Sequence, residues 1–138
     1  MINKALKIAH RAHLGQVDKG GVPYILHPIR VALHCDTDAE KVVALLHDVV
    51  EDTSFTLEDL KAEGISRNLL DAIDSLTNRE GESYDEFICR VSQNELAVRV
   101  KIQDLKDNMD LSRMGGKKHR KYDLYCEALS YLKSLLQE

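Results

Sequence analysis

The chain has three cysteines, and Cys35, Cys89 and Cys126 lie too far apart in sequence for any CxxC pair. A zinc–thiolate centre is therefore disfavoured, and ordinary reduced, partly buried thiols are expected. No run of 18 apolar residues exists, which removes a membrane-spanning helix from consideration. The opening Met1-Ile2-Asn3-Lys4-Ala5 has no apolar signal segment, so a cytoplasmic location is expected. Neither sign of charge dominates: 19 Lys and Arg against 23 Asp and Glu leave a net charge of -4. That balance offers no bulk attraction to nucleic acid or to an anionic membrane. A polyanionic ligand would need a local cluster of cations, or a metal, to hold it. There is also no alternating apolar–polar stretch that reads as a strand, no internal repeat and no low-complexity segment.

What the chain does have is apolar residues at helical spacing almost everywhere. At 138 residues it is expected to form one domain, spanning 1–138, with enough length to bury a sizeable core. The spacing predicts helices over 3–14, from His27 to about His34, over 39–50, from a capping box at Thr56 to Glu63, and over 67–76, 84–92, 95–111 and 120–136. In the last of these Leu124, Ala128, Tyr131, Leu132 and Leu135 are expected to face inward. Glycine-containing loops are expected over 16–23 and 113–119. The predicted architecture is an all-α bundle of about seven or eight helices.

One stretch stands out. Val43-Ala-Leu-Leu-His47-Asp48-Val-Val-Glu51-Asp52-Thr53 is an apolar run that carries four ionisable groups within six positions. On a continuous helix His47 and Glu51 would share one face, and Asp48 and Asp52 another. Charges on a core helix call for compensation, and a bound cation supplies it. The plainer alternative is a helix end with solvated acids and one satisfied histidine. Two further places offer similar groups. His27, before Pro28 at a loop-to-helix junction, is either a ligand or an ordinary capping or core histidine. Asp104, with Asn108 one turn on, is either a ligand or part of a salt-bridged face with Lys101, Lys106 and Asp107 as neighbours. Taken together, His27, His47, Asp48 and Asp104 form a mixed nitrogen and oxygen set with positions left for water and substrate.

This pattern resembles the HD-domain metal-dependent phosphohydrolases. Four longer stretches are similar to the RelA/SpoT-type (p)ppGpp hydrolases, especially the small stand-alone alarmone hydrolases. They are Ala12-His-Leu-Gly-Gln16, Gly21-Val-Pro-Tyr-Ile-Leu-His27-Pro28, Ala44-Leu-Leu-His-Asp-Val-Val-Glu-Asp-Thr53 and Val100-Lys-Ile-Gln-Asp104 with Asn108-Met109 following. The resemblance covers about residues 5–112, and the His-Asp-x-x-Glu-Asp-Thr block is its specific part. It implies metal ligands His27, His47, Asp48 and Asp104, usually around Mn²⁺, and an acidic pair, Glu51 and Asp52, that positions and deprotonates the attacking water. It implies a nucleotide substrate contacted by Asn108 and Lys19; Arg120, in the run Lys117-Lys118-His119-Arg120-Lys121, is a further candidate contact. The reaction implied is hydrolysis of the 3′-pyrophosphate of guanosine alarmones.

Two positions depart from the family. The arginine that packs on the guanine base is Asp18 here, and the usual Asp-Arg-Leu-His-Asn is Asp104-Leu-Lys-Asp107-Asn108. Both changes are expected on the nucleotide side, leaving the metal side intact. Asp18 keeps one alternative open, a phosphohydrolase for another phosphorylated nucleotide, such as the 2′-phosphate of NADPH. An alternative of another class is a non-catalytic module that senses an alarmone, which would require damage to the metal set or to Glu51 and Asp52, and the residues show none. With no counterpart of the synthetase domain of the long family members in these residues, degradation without synthesis is expected.

Overall fold

A computed structural model describes residues 1–110, 112, 116 and 120–137. The described residues form nine helical segments: α1 (Ile2–Ala12), α2 (Leu26–Leu33), α3 (Asp38–Leu46), α4 (Val49–Asp52), α5 (Leu57–Ala62), α6 (Arg67–Ser75), α7 (Tyr84–Ser92), α8 (Glu95–Asn108) and α9 (Tyr122–Leu136). The all-α expectation holds. Among these residues the only β pairing is a single bridge between Val17 and Pro23, which closes the loop between α1 and α2. No helix among them is long and apolar enough to cross a membrane.

Local sequence explains most of the helix starts. Thr37 accepts a hydrogen bond from the Glu40 backbone N–H and starts α3. Thr56 with Asp59, and Ser83 with Glu86, form reciprocal capping boxes at α5 and α7. Asn94 caps α8 by accepting from the Ala97 N–H. Each such cap satisfies a backbone donor that the helix itself leaves orphaned. α3 and α8 sit at the centre: α3 packs on α1, α2, α6 and α8, and α8 also meets α2, α6, α7 and α9. Val42, Val43, Ala44, Leu46 and Val49 on one side, with Val100 and Leu105 on the other, are almost wholly removed from water.

Two expectations change. The helix anticipated over 39–50 is divided, because α3 ends at Leu46 and α4 begins at Val49. Asp48 sits between them with φ -99° and ψ -4°. This bridge-region conformation turns the chain where a helix would have continued straight. The second change is in α9. Ala128 and Leu132 are buried, Leu124 is half-buried, and Tyr131 and Leu135 are exposed. The stripe against the core is instead Tyr125, Ala128, Leu129, Leu132 and Leu136. This set keeps the three-to-four spacing but is rotated relative to the expected one. α8 ends at Asn108 rather than 111, and α9 starts at Tyr122 rather than 120. The loop expected over 113–119, Gly116 apart, and the basic run Lys117, Lys118 and His119 lie outside the described residues.

The rotated face of α9 has a measurable consequence. Leu132 is 0% exposed and Leu135 is 43% exposed. In urea unfolding, Leu132→Ala is expected to lower stability by about 2–5 kcal/mol and Leu135→Ala by less than about 0.5 kcal/mol.

Candidate metal and nucleotide site

The bend after α3 brings the candidate residues together. His27 arrives on the first turn of α2, His47 and Asp48 on the α3–α4 turn, and Asp104 from the middle of α8. His27, His47 and Asp104 are all buried, and each offers one ligand atom within 4.8 Å of the others. Asp104 Oδ1 lies 2.8 Å from His27 Nε2 and 3.3 Å from His47 Nε2. Asp48 Oδ2 lies 3.1 Å from His47 Nε2 and 3.8 Å from His27 Nε2. Four residues that are up to 77 positions apart in the chain thus point at one small volume.

The outer nitrogens of both rings are also engaged. His27 Nδ1 lies 2.6 Å from Asp107 Oδ2, and Arg30 donates to both oxygens of Asp107. His47 Nδ1 faces the backbone carbonyl of Ala44. Every neighbour of these four nitrogens is an acceptor, so without a metal each imidazole must carry two protons to satisfy it. The electrostatics agree. Burial favours neutral His27, but Asp104 and Asp107 override it and raise its pKa to about 9. His47 behaves alike, with burial outweighed by Asp48 and Asp104. Burial likewise opposes ionisation of Asp48 and Asp104, yet His47 holds Asp48 down to about 2, and Lys101 with His47 keeps Asp104 well below the usual carboxylate range.

A divalent cation can replace the two Nε2 protons. Neutral imidazole nitrogen with carboxylate oxygen suits such an ion, and the acceptors at Nδ1 would fix the required tautomer. His27, His47 and Asp104 could therefore hold a metal ion, with Asp48 beside them.

A pocket of about 210 Å³ opens from this centre. Glu51 and Asp52, exposed on α4, stand on its wall with Asn78, Lys101 and Asn108. Glu51 Oε1 accepts a hydrogen bond from the Asn78 N–H at 2.6 Å. Partial burial raises the Glu51 pKa against that hydrogen bond. Partial burial, then the charges of Asp48 and Glu51, raise Asp52 to about 6. A carboxylate tuned in this way is suited to accept a proton near neutral pH.

No protein-family model matches the chain. Among curated proteins, the guanosine-3′,5′-bis(diphosphate) 3′-pyrophosphohydrolase of Haemophilus influenzae is 38% identical over 119 residues, covering 74% of this chain and 17% of its own length. The bifunctional (p)ppGpp synthase/hydrolase SpoT of Escherichia coli is 32% identical over 124 residues, covering 78% of this chain and 17% of its own length. The chain belongs to the HD-type RelA/SpoT hydrolase family. It spans 17% of the length of these two relatives. Among solved structures, a metazoan ortholog of SpoT described as hydrolysing ppGpp shares the fold, with a TM-score of 0.74 at 22% identity over 99% of this chain and 85% of that one.

With the family in hand, the two departures can be placed. Asp18 accepts from the Gly20 and Val22 N–H groups at 2.8 and 3.0 Å, so its carboxylate closes its own turn and is not among the residues lining the pocket. Asp107 is not on the nucleotide side as expected. It stands behind His27, at the metal side, and with Arg30 it orients the imidazole. Lys19 is exposed in the turn after Asp18, and Arg120 is exposed ahead of α9; neither lines the pocket. Lys121, next to Arg120, does line it. Asn108 lines it too and donates to Asp104 Oδ1 at 3.3 Å.

Several contributors went unassigned in the sequence. Tyr24 donates its hydroxyl hydrogen to Asp48 Oδ2. Lys101 donates to Asp104 Oδ2 at 2.9 Å. His13, buried, donates from Nδ1 to Gln16 Oε1 at 2.9 Å, and the Gln16 amide nitrogen donates to the Asp52 carbonyl at 3.1 Å. Spacing places Lys101, and also Asp107, three residues either side of Asp104 on one helix, which marks them as its salt-bridge neighbours but not as supports of the buried centre. Tyr24 and His13 lie on other segments and carry no such signal.

The raised histidine pKa sets a pH dependence. A group with a folded pKa of about 9 and an ordinary value of 6.5 contributes stability that is fully present below pH 6.5. That stability is lost as pH rises through about 9. Metal-free protein is expected to lose urea stability across this window, and Asp107→Asn is expected to move the His27 NMR titration to lower pH.

Proposed function

We propose that the protein is a metal-dependent (p)ppGpp 3′-pyrophosphohydrolase, a single HD-type phosphohydrolase unit over 1–138 that works in the cytoplasm. The observation that supports this most is the pairing of a buried His27–His47–Asp104 centre with the exposed acids Glu51 and Asp52 on one pocket wall. Mn²⁺ is the proposed ion, held by His27, His47, Asp48 and Asp104. When bound, such an ion makes water acidic enough to ionise near neutral pH and polarises a phosphoryl oxygen.

The protein's own residues have separate tasks in this reading. Asp52, with its raised pKa, takes the proton of the attacking water as general base, and Glu51 orients that water from beside it. Tyr24 and Lys101 keep Asp48 and Asp104 turned toward the ion. Asn108 and Lys121, on the same wall, meet the nucleotide, and Lys19 and Arg120, exposed outside that lining, are the proposed contacts for any part of the substrate that extends beyond the pocket. The bond broken joins the ribose 3′ oxygen to the pyrophosphate, which leaves GDP or GTP and pyrophosphate.

A second reading is favoured by Asp18. With no cation at that position to pack on a base, another phosphorylated nucleotide, such as NADPH with its 2′-phosphate, is the alternative substrate. One assay separates the two. Purified protein with Mn²⁺ is expected to release pyrophosphate from ppGpp faster than phosphate from NADPH. His47→Ala and Asp48→Ala are expected to abolish activity with loss of Mn²⁺. Asp52→Asn is expected to lower kcat by about 10²–10⁴-fold with Mn²⁺ retained. Wild-type protein that releases no pyrophosphate with Mn²⁺ would sink the proposal.

A further inference from the structure

The turn between α6 and α7 supplies a single group to the pocket's acidic pair, the Asn78 backbone N–H on Glu51 Oε1. That turn has bonds of its own, with the Thr77 N–H on the Asp74 carbonyl, the Thr77 hydroxyl on the Ile73 carbonyl and the Glu82 N–H on the Arg79 carbonyl, and one side chain from α7 ties its two ends together. Arg90, on α7, donates from Nε and one terminal nitrogen to the two oxygens of Glu82, each at 2.9 Å. It also donates to the backbone carbonyl of Asp74 at 3.0 Å and to that of Thr77 at 2.7 Å. Its guanidinium lies 5.8 Å from the centroid of Phe87, a residue of the pocket wall. Glu82 in turn accepts from the Arg79 N–H at 3.1 Å.

We propose that Arg90 is a positioning residue for the acidic pair. By clamping residues 74–82 it fixes the Asn78 N–H on Glu51 and so sets how that carboxylate faces the pocket. The geometry makes the link direct. Thr77, whose carbonyl Arg90 holds, is the residue immediately before Asn78. A planar guanidinium with several donors in fixed directions can hold a bidentate carboxylate and two carbonyls together, which an ammonium cannot do. Glu51 is an exposed residue of α4 whose carboxylate accepts a hydrogen bond from the Asn78 N–H. Without the Asn78 N–H its side chain regains rotamer freedom, and small misplacements of a reacting group are costly to rate. The inference deepens the hydrolase reading and rests on it for its catalytic meaning, while its structural part stands independently.

The test uses the whole 138-residue chain in both parts. In ¹H–¹⁵N spectra the Asn78 amide proton is expected downfield, with an upfield shift in Glu51→Gln and a similar shift in Arg90→Gln. In ppGpp hydrolysis with Mn²⁺, Arg90→Gln is expected to lower kcat by about tenfold to a hundredfold. KM and bound Mn²⁺ are expected within about twofold of wild type. Arg90→Lys is expected to restore neither signal, because it keeps the charge but not the fork. Should Arg90→Gln fail to fold, Glu82→Gln removes the same clamp from its surface side and is read the same way. An Asn78 resonance that responds to Glu51→Gln but stays in place in the clamp variants overturns the proposal. So does a fall in kcat matched by loss of Mn²⁺. Wild-type protein that does not hydrolyse ppGpp defeats the hydrolase reading, and the clamp is then decided by the amide resonance.

Discussion

Asp104 is a carboxylate 4% exposed in the middle of a helix bundle, and the architecture around it follows from keeping it ionised there. An isolated charge at that depth is untenable, so its surroundings have to supply cations or donors. They come from three directions: His27 from α2, His47 from the end of α3, and Lys101 from one turn back on α8. The two histidines each require an element to be brought against α8, in keeping with the packing of both α2 and α3 on it. Asp107 extends the arrangement outward, because a protonated or metal-bearing His27 needs an acceptor behind it. Arg30 then balances Asp107.

The same principle divides the four ionisable groups of the 47–52 stretch. His47 is 2% exposed and Asp48 lies close beside its Nε2, so those two share the compensated interior. Glu51 and Asp52 stay at the pocket wall, where partial burial and the negative charge of Asp48 push their pKa values up, outweighing the pull of His47 on both and of the Asn78 N–H and Lys101 on Glu51. Two carboxylates four residues apart, Asp48 and Asp52, are thus shifted in opposite directions by surroundings alone. Acids and bases with distinct tasks arise in this way from one residue type.

The positioning of the outer pair is shared between distant segments. Gln16, near the start of the loop between α1 and α2, ties its amide to the Asp52 carbonyl, and the turn after α6 presents the Asn78 N–H to Glu51. Neither contact touches the buried centre. The site therefore has an inner part held by charge and an outer part held by backbone and amide hydrogen bonds, and the two can be perturbed separately.

Much of this was legible in the residues. The helical periodicity and the capping signal at Thr56 act through neighbours within a few positions, so they define the all-α class and several helix starts on their own. The apolar run ending in His47, Asp48, Glu51 and Asp52 likewise announces that charge has to be compensated inside a core. Three features depend on contacts between distant segments and were not legible: the break at Asp48 that separates α3 from α4, the rotation of α9 that buries Leu132 and exposes Tyr131, and the place of Asp107 behind His27. A helix's local pattern allows more than one facing, and only the surface it packs against selects among them. A carboxylate three residues past Asp104 has no assigned partner until α2 lies alongside α8. Sequence by itself determined that there are helices, caps and a charged core stretch; tertiary packing decided which of the charges meet, since that depends on distances across the fold that no local interaction sets.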